Sequence, residues 1–227
     1  MTESDWLTSE SRALVVDGYL GDDERNITSR KARLFACACC RRFWKFLPAD
    51  SSQLAIEATE KALDGLISPA ARRIAVQRAE AEYHCSITRV NSATADLEAQ
   101  WSRDVVTKAV YFTAVLYEHS GYDIADAVGV ARDLAAINPA GAAAEDAMQA
   151  ALFRHLLGNP FHPYPNLPTW PEPVVQLAQS LYDGSDCAFA LHDALLDAGL
   201  TEFADHFKQE AWHPKGCWLL DLILGKS

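Results

Sequence analysis

Ser29-Arg30-Lys31-Ala32-Arg33-Leu34-Phe35-Ala36-Cys37-Ala38-Cys39-Cys40-Arg41-Arg42-Phe43-Trp44 reads as a helix, and its reading sets the class of the fold. Asn26-Ile27-Thr28-Ser29 supplies cap residues ahead of it, and Pro48 stops it, so the helix is expected to run to about Leu47. Basic positions alternate with Phe35, Phe43 and Trp44, which turns one side of the helix inward. Arg30, Lys31, Arg33, Arg41, Arg42 and Lys45 crowd cations into this stretch with no acid among them. Two uses are open. Pairing with acidic helices of the same chain, or plain solvation, is preferred over contact with phosphate or nucleic acid.

Helical periodicity continues on both sides. Trp6, Leu7, Leu14, Val15 and Tyr19 mark a helix over residues 5–20, closed by Gly21. Ser51 and Ser52 offer caps for a helix carrying Leu54, Ile56, Ala58, Ala62 and Leu63 up to Gly65, and Ser68-Pro69 opens the next as cap and first residue. That helix passes Ile74, Tyr83, Ile87 and Val90. Another ends near His119, and residues 123–137 and 142–157 form Ala-rich helices. Pro160, Pro163, Pro165, Pro168, Pro171 and Pro173 then forbid regular helix over residues 158–173. Phe161, Tyr164 and Trp170 interleave with them, so this segment is expected to pack as extended chain on the surface. Helices follow at about 172–182, 187–198, 202–209 and 216–224.

No strand alternation and no fixed repeat interrupts this pattern. The expectation is an all-α fold of about nine or ten helices. It is expected to be a single domain over residues 1–227, with N-terminal helices in 5–157, the Pro/aromatic segment at 158–173 and C-terminal helices in 174–225.

Twenty Lys and Arg against 31 Asp and Glu leave a net charge of −11, which favours solubility and disfavours broad binding to nucleic acid or anionic membranes. The longest apolar runs, such as Val110 to Tyr117, are too short to span a bilayer. The acidic start, Met1-Thr2-Glu3-Ser4-Asp5, lacks the basic and apolar regions of a signal peptide, so the expected location is cytoplasmic.

In that compartment the six cysteines are expected to be reduced. Cys37 and Cys40 stand three apart on one helical face, and His213-Pro214-Lys215-Gly216-Cys217 has the make-up of a tight turn that aims an imidazole and a thiolate together. Cys37, Cys40, His213 and Cys217 would complete a tetrahedral zinc site, with His206 as a substitute. The competing reading is preferred: cysteines inside a helix, among Leu34, Phe35, Ala36 and Ala38, fill small gaps in a core.

Catalytic motifs are lacking. There is no Gly-x-Ser-x-Gly elbow, no glycine-rich phosphate loop and no Glu-x-x-His pattern of a di-metal bundle. His192-Asp193 and Asp205-His206 are sequence neighbours whose side chains are expected to diverge on a helix, and Glu80–His84 is an ordinary surface pair.

Three stretches carry a resemblance. Residues 30–44 are similar to "RKLRLFACACCRRIW", Leu156-Leu157-Gly158-Asn159-Pro160-Phe161 supplies a GNPF motif, and residues 213–226 look like "HVRGCWVVDLLLGK". Together they resemble a family of uncharacterised bacterial proteins of planctomycete type. The resemblance covers both ends of the chain and implies no activity.

Three functions compete on this basis. A non-enzymatic helical interaction or adaptor protein, receiving a protein partner on Phe161, Tyr164 and Trp170, comes first, because loops carry binding more often than helices do. A zinc-stabilised domain whose basic helix touches nucleic acid or phosphate is the second. An enzyme with an unfamiliar site near His206, His213, Cys217 and Asp221 is the third.

Overall fold

The computed structural model describes residues 2–10, 28–46, 50–90, 141–162, 164, 169–209 and 212–226. Among them the chain is all-α. Nine α-helices are present and no strand: α1 (Glu3–Thr8), α2 (Ser29–Arg42), α3 (Asp50–Leu63), α4 (Pro69–Val90), α5 (Ala142–Leu157), α6 (Glu172–Tyr182), α7 (Ala188–Asp197), α8 (Thr201–Gln209) and α9 (Trp218–Leu224). A short 3₁₀ turn spans Trp44–Phe46. The helices expected near 94–119 and 123–137, and most of the one expected over 5–20, fall outside the described residues. No helix among the described residues is long and apolar enough to cross a membrane.

The chain divides into two compact units, residues 1–153 and 154–227. In the first, α2 is the central element. Thr28 caps it by accepting from the Lys31 N–H. Every residue from Leu34 to Cys40 is buried, so the helix is enclosed on all sides, and its alanines and cysteines let neighbours approach closely. It ends at Arg42, short of the expected Leu47, because the Phe43 N–H reaches back to the Cys40 carbonyl at 3.0 Å and tightens the chain into the 3₁₀ turn. Phe153 packs edge-on against Phe35, ring centroids 5.6 Å apart, and tilted against Trp6 at 5.7 Å.

Three cations of α2 are engaged within this unit. Arg41 makes a two-pronged pair with Glu60 of α3, both contacts 2.6 Å, and its guanidinium also lies over the Trp44 ring. Arg42 pairs with Glu145 at 2.5 Å, where Gln149 also donates to the carboxylate, and Arg30 pairs with Asp64 at 3.1 Å. These are the acidic helices of the same chain that the basic stretch requires.

In the second unit, Val174, Ala178, Leu181 and Tyr182 of α6 meet Leu191 and Leu195 of α7, Phe203 and Phe207 of α8, and Leu219, Leu220 and Ile223 of α9 in one core. The Gly158–Pro171 stretch holds no helix among its described residues, as the prolines require. Its aromatics turn inward: Tyr164 and Trp170 are partly buried against this core, with Trp170 5.3 Å from Phe203, edge to face.

Glu60 is almost fully buried, so removing its partner strands a carboxylate. Arg41→Met should destabilise the protein by roughly 3–5 kcal/mol, and the Arg41→Met/Glu60→Met double variant by less. Urea unfolding of the four proteins in the cycle measures this; a double variant as unstable as the sum of the singles would count against a desolvated pair.

Candidate metal centre

His213-Pro214-Lys215-Gly216-Cys217 folds as a tight turn. The Cys217 N–H donates to the Pro214 carbonyl at 3.0 Å, and Gly216 takes φ +85°, a conformation other residues adopt only with strain. The turn brings the Cys217 thiol within 4.0 Å of His213 Nδ1 and delivers Cys217 as the residue that precedes α9. From α8, His206 reaches the same thiol, its Nε2 3.1 Å from Cys217 Sγ. His155, in the last turn of α5, completes the group, with ring centroids 4.6 Å from His206 and 5.0 Å from His213.

One ligand atom from each of His155, His206, His213 and Cys217 lies within 4.8 Å of all the others. Zinc bonds of about 2.0–2.3 Å set neighbouring ligands of a tetrahedron about 3.3–3.7 Å apart, so the widest gap would close by about 1–1.5 Å on binding. Cys217 is fully buried, and His155 and His213 are nearly so. Burial, and secondarily the neighbouring His213, push the His206 pKa down to about 3 from 6.5. His206 is therefore a neutral imidazole at physiological pH, the form that binds metals.

The site expected from sequence and the cluster observed share His213 and Cys217, and the named substitute His206 joins them. Cys37 and Cys40 belong to the first unit, where both are fully buried in α2. Burial first, and then Glu60, raise the Cys37 thiol well above its ordinary value, which keeps it protonated and suits packing. His155 went unread because, with Arg154, it interrupts an otherwise apolar run over Ala150–Leu157. Its one signal is its place three residues ahead of the Gly158-Asn159-Pro160-Phe161 turn. Asp221, named with the C-terminal cluster, is buried but is not one of the four.

Other expected positions are also located. Tyr164 stacks on Trp218 at 3.8 Å, and the Phe161 N–H donates to Asn159 Oδ1 at 2.9 Å. His192 and Asp193 do not diverge: Nδ1 and Oδ1 are 2.9 Å apart, with His192 buried and Asp193 exposed. Stacking of His192 on Phe189 holds the imidazole, and the short Asp193 side chain swings to meet it. Glu80 and His84 form the exposed pair their spacing implies, at 3.9 Å. Comparison with protein-family models, curated proteins and solved structures returned no match to this chain.

A buried neutral histidine makes metal-free stability depend on pH. Between about 3 and 6.5 the unfolded chain holds a proton on His206 that the folded chain does not, so stability falls as pH falls through this range. In metal-free protein, the stability advantage of wild type over His206→Asn should shrink from pH 7 to pH 4. An advantage constant across that range would contradict a neutral His206.

Proposed function

We propose that this chain is a non-enzymatic helical protein that binds zinc, and that residues 154–227 fold around a closed structural site of His155, His206, His213 and Cys217. The observation that carries the reading is the convergence of the four ligand atoms within 4.8 Å. Three imidazoles and one thiol are borderline-to-soft donors, suited to zinc and not to the oxygen-seeking magnesium or calcium. Four protein ligands fill a tetrahedron and leave no position for a substrate, which is the make-up of a structural site. The engagement of Arg30, Arg41 and Arg42 with Asp64, Glu60 and Glu145 supports a role apart from nucleic acid.

One observation favours a second reading. A Cys–His distance of 3.1 Å is what an activated nucleophile requires. Against it, Cys217 is fully buried, and an imidazole with a pKa of about 3 is a poor base for a thiol.

Elemental analysis of protein purified without chelator decides between them. About one zinc per chain is expected. His213→Ala and Cys217→Ala should lose it, while the Cys37→Ala/Cys40→Ala double variant keeps it. Wild type that neither carries zinc nor takes it up from solution, with Cys217 rapidly alkylated in the folded state, would replace the metal site with the nucleophile reading.

A further inference from the structure

The α5 helix ends at Leu157, and Gly158 follows with φ +71° and its N–H on the Arg154 carbonyl at 2.8 Å. The left-handed conformation alone would favour glycine, but a second constraint applies. A Cβ at this position would sit 3.0 Å from Trp218 Cγ and 3.1 Å from both Trp218 Cδ2 and Tyr164 Cε2. Two aromatic rings therefore rest directly on the backbone of this turn. They also rest on each other, stacked at 3.8 Å and 17°. Asn159 ties Tyr164 back to the same turn, its N–H 3.4 Å from the phenolic oxygen.

The far side of the stack meets the metal cluster. Trp218 contacts His206 at 5.5 Å between ring centroids and 67°, edge to face. His206 is partly buried, and its Nε2 is the nitrogen held 3.1 Å from Cys217 Sγ. Trp218 directly follows Cys217 in the chain, and Gly158 stands three residues after His155. A ligating imidazole needs its ring plane fixed by something other than the metal, and such outer contacts tune affinity.

We propose that Trp218 and Tyr164, seated on Gly158, are positioning residues of the metal centre that fix the His206 ring toward Cys217. This rests on the zinc reading above. The Gly158-Asn159-Pro160-Phe161 turn then serves the centre without supplying a ligand. Both rings act through His206 and neither touches the ion.

Full-length zinc-loaded protein is challenged with a chromogenic chelator, and the same proteins are loaded with cobalt(II) for visible spectra. Trp218→Leu and Tyr164→Leu should release zinc roughly 10–100-fold faster than wild type, while Tyr164→Phe, which keeps the stacked ring, stays within about twofold. The cobalt bands should shift in both leucine variants. In Leu191→Ala, a core truncation on α7, they should not shift although stability falls. Should Trp218→Leu fail to fold, the Tyr164 pair decides. Wild-type protein that binds no metal overturns the site and this proposal with it. Wild type that binds zinc while the folded leucine variants release it at the wild-type rate, with unshifted cobalt bands, overturns the positioning role alone.

Discussion

An ionisable side chain driven into a helical core must be paired, held neutral or bound to something that replaces water, because leaving it charged and alone is too costly. Both units of this chain are organised around that constraint. In the first, the enclosed α2 carries cations at its two ends, and Asp64, Glu60 and Glu145 meet them. The pairs fix which face of α3 looks toward α2: Ile56 and Glu60, four residues apart, are buried on the same side. In the second unit three imidazoles and a thiol crowd together with no carboxylate among them. There burial holds His206 neutral, its pKa far below the ordinary histidine range.

Most of the fold was legible because its punctuation is strong. Ser68-Pro69 starts α4 as cap and first residue, with the Ala71 N–H on Ser68 Oγ, and the proline run clears helix from the stretch before α6. Side-chain placement was less legible. Leu54 and Ile74 count among the apolar positions that mark their helices, yet both are exposed. Each lies two residues from a buried neighbour, Leu54 from Ile56 and Ile74 from both Arg72 and Val76, and two residues on a helix is more than half a turn. An apolar count along the chain sees both positions; only the partner helix decides which turns inward. Arg72, buried where an isoleucine two residues on is exposed, carries no sequence signal at all.

The candidate site divides the same way. His213 and Cys217 were readable as a pair because a local turn with Pro214 and Gly216 joins them, and local geometry is what a sequence spells. His206 and His155 arrive from α8 and α5 through tertiary packing, which it does not spell. Cys37 and Cys40 were candidates beside the turn pair because an i, i+3 spacing places two thiols on one face, with core packing the preferred reading. The same spacing is also what a buried helix uses to present small side chains to a neighbour, and in α2 both thiols lie fully buried among Leu34, Phe35, Ala36 and Ala38. Tyr164 and Trp170 of the 158–173 segment, which is read as packing on the surface where a protein partner could dock, are partly buried against the second unit's own core.

Size would give the proposed metal centre a physical rationale. Taken by itself, a unit of about 70 residues seldom draws more than about 3–5 kcal/mol from its hydrophobic core. Residues 154–227 add a proline-rich stretch with no helix among its described residues and a last helix, α9, of only two turns. Burying His206 as a neutral ring costs its hydration unless something accepts its lone pair. A zinc ion would accept lone pairs from all three imidazoles and the thiolate at once, and would draw together the end of α5, α8 and the start of α9. The polar cluster that weakens the metal-free unit would then become the contact that closes it. The Cys217 thiol would have to lose its proton to do this, so binding would strengthen as pH rises.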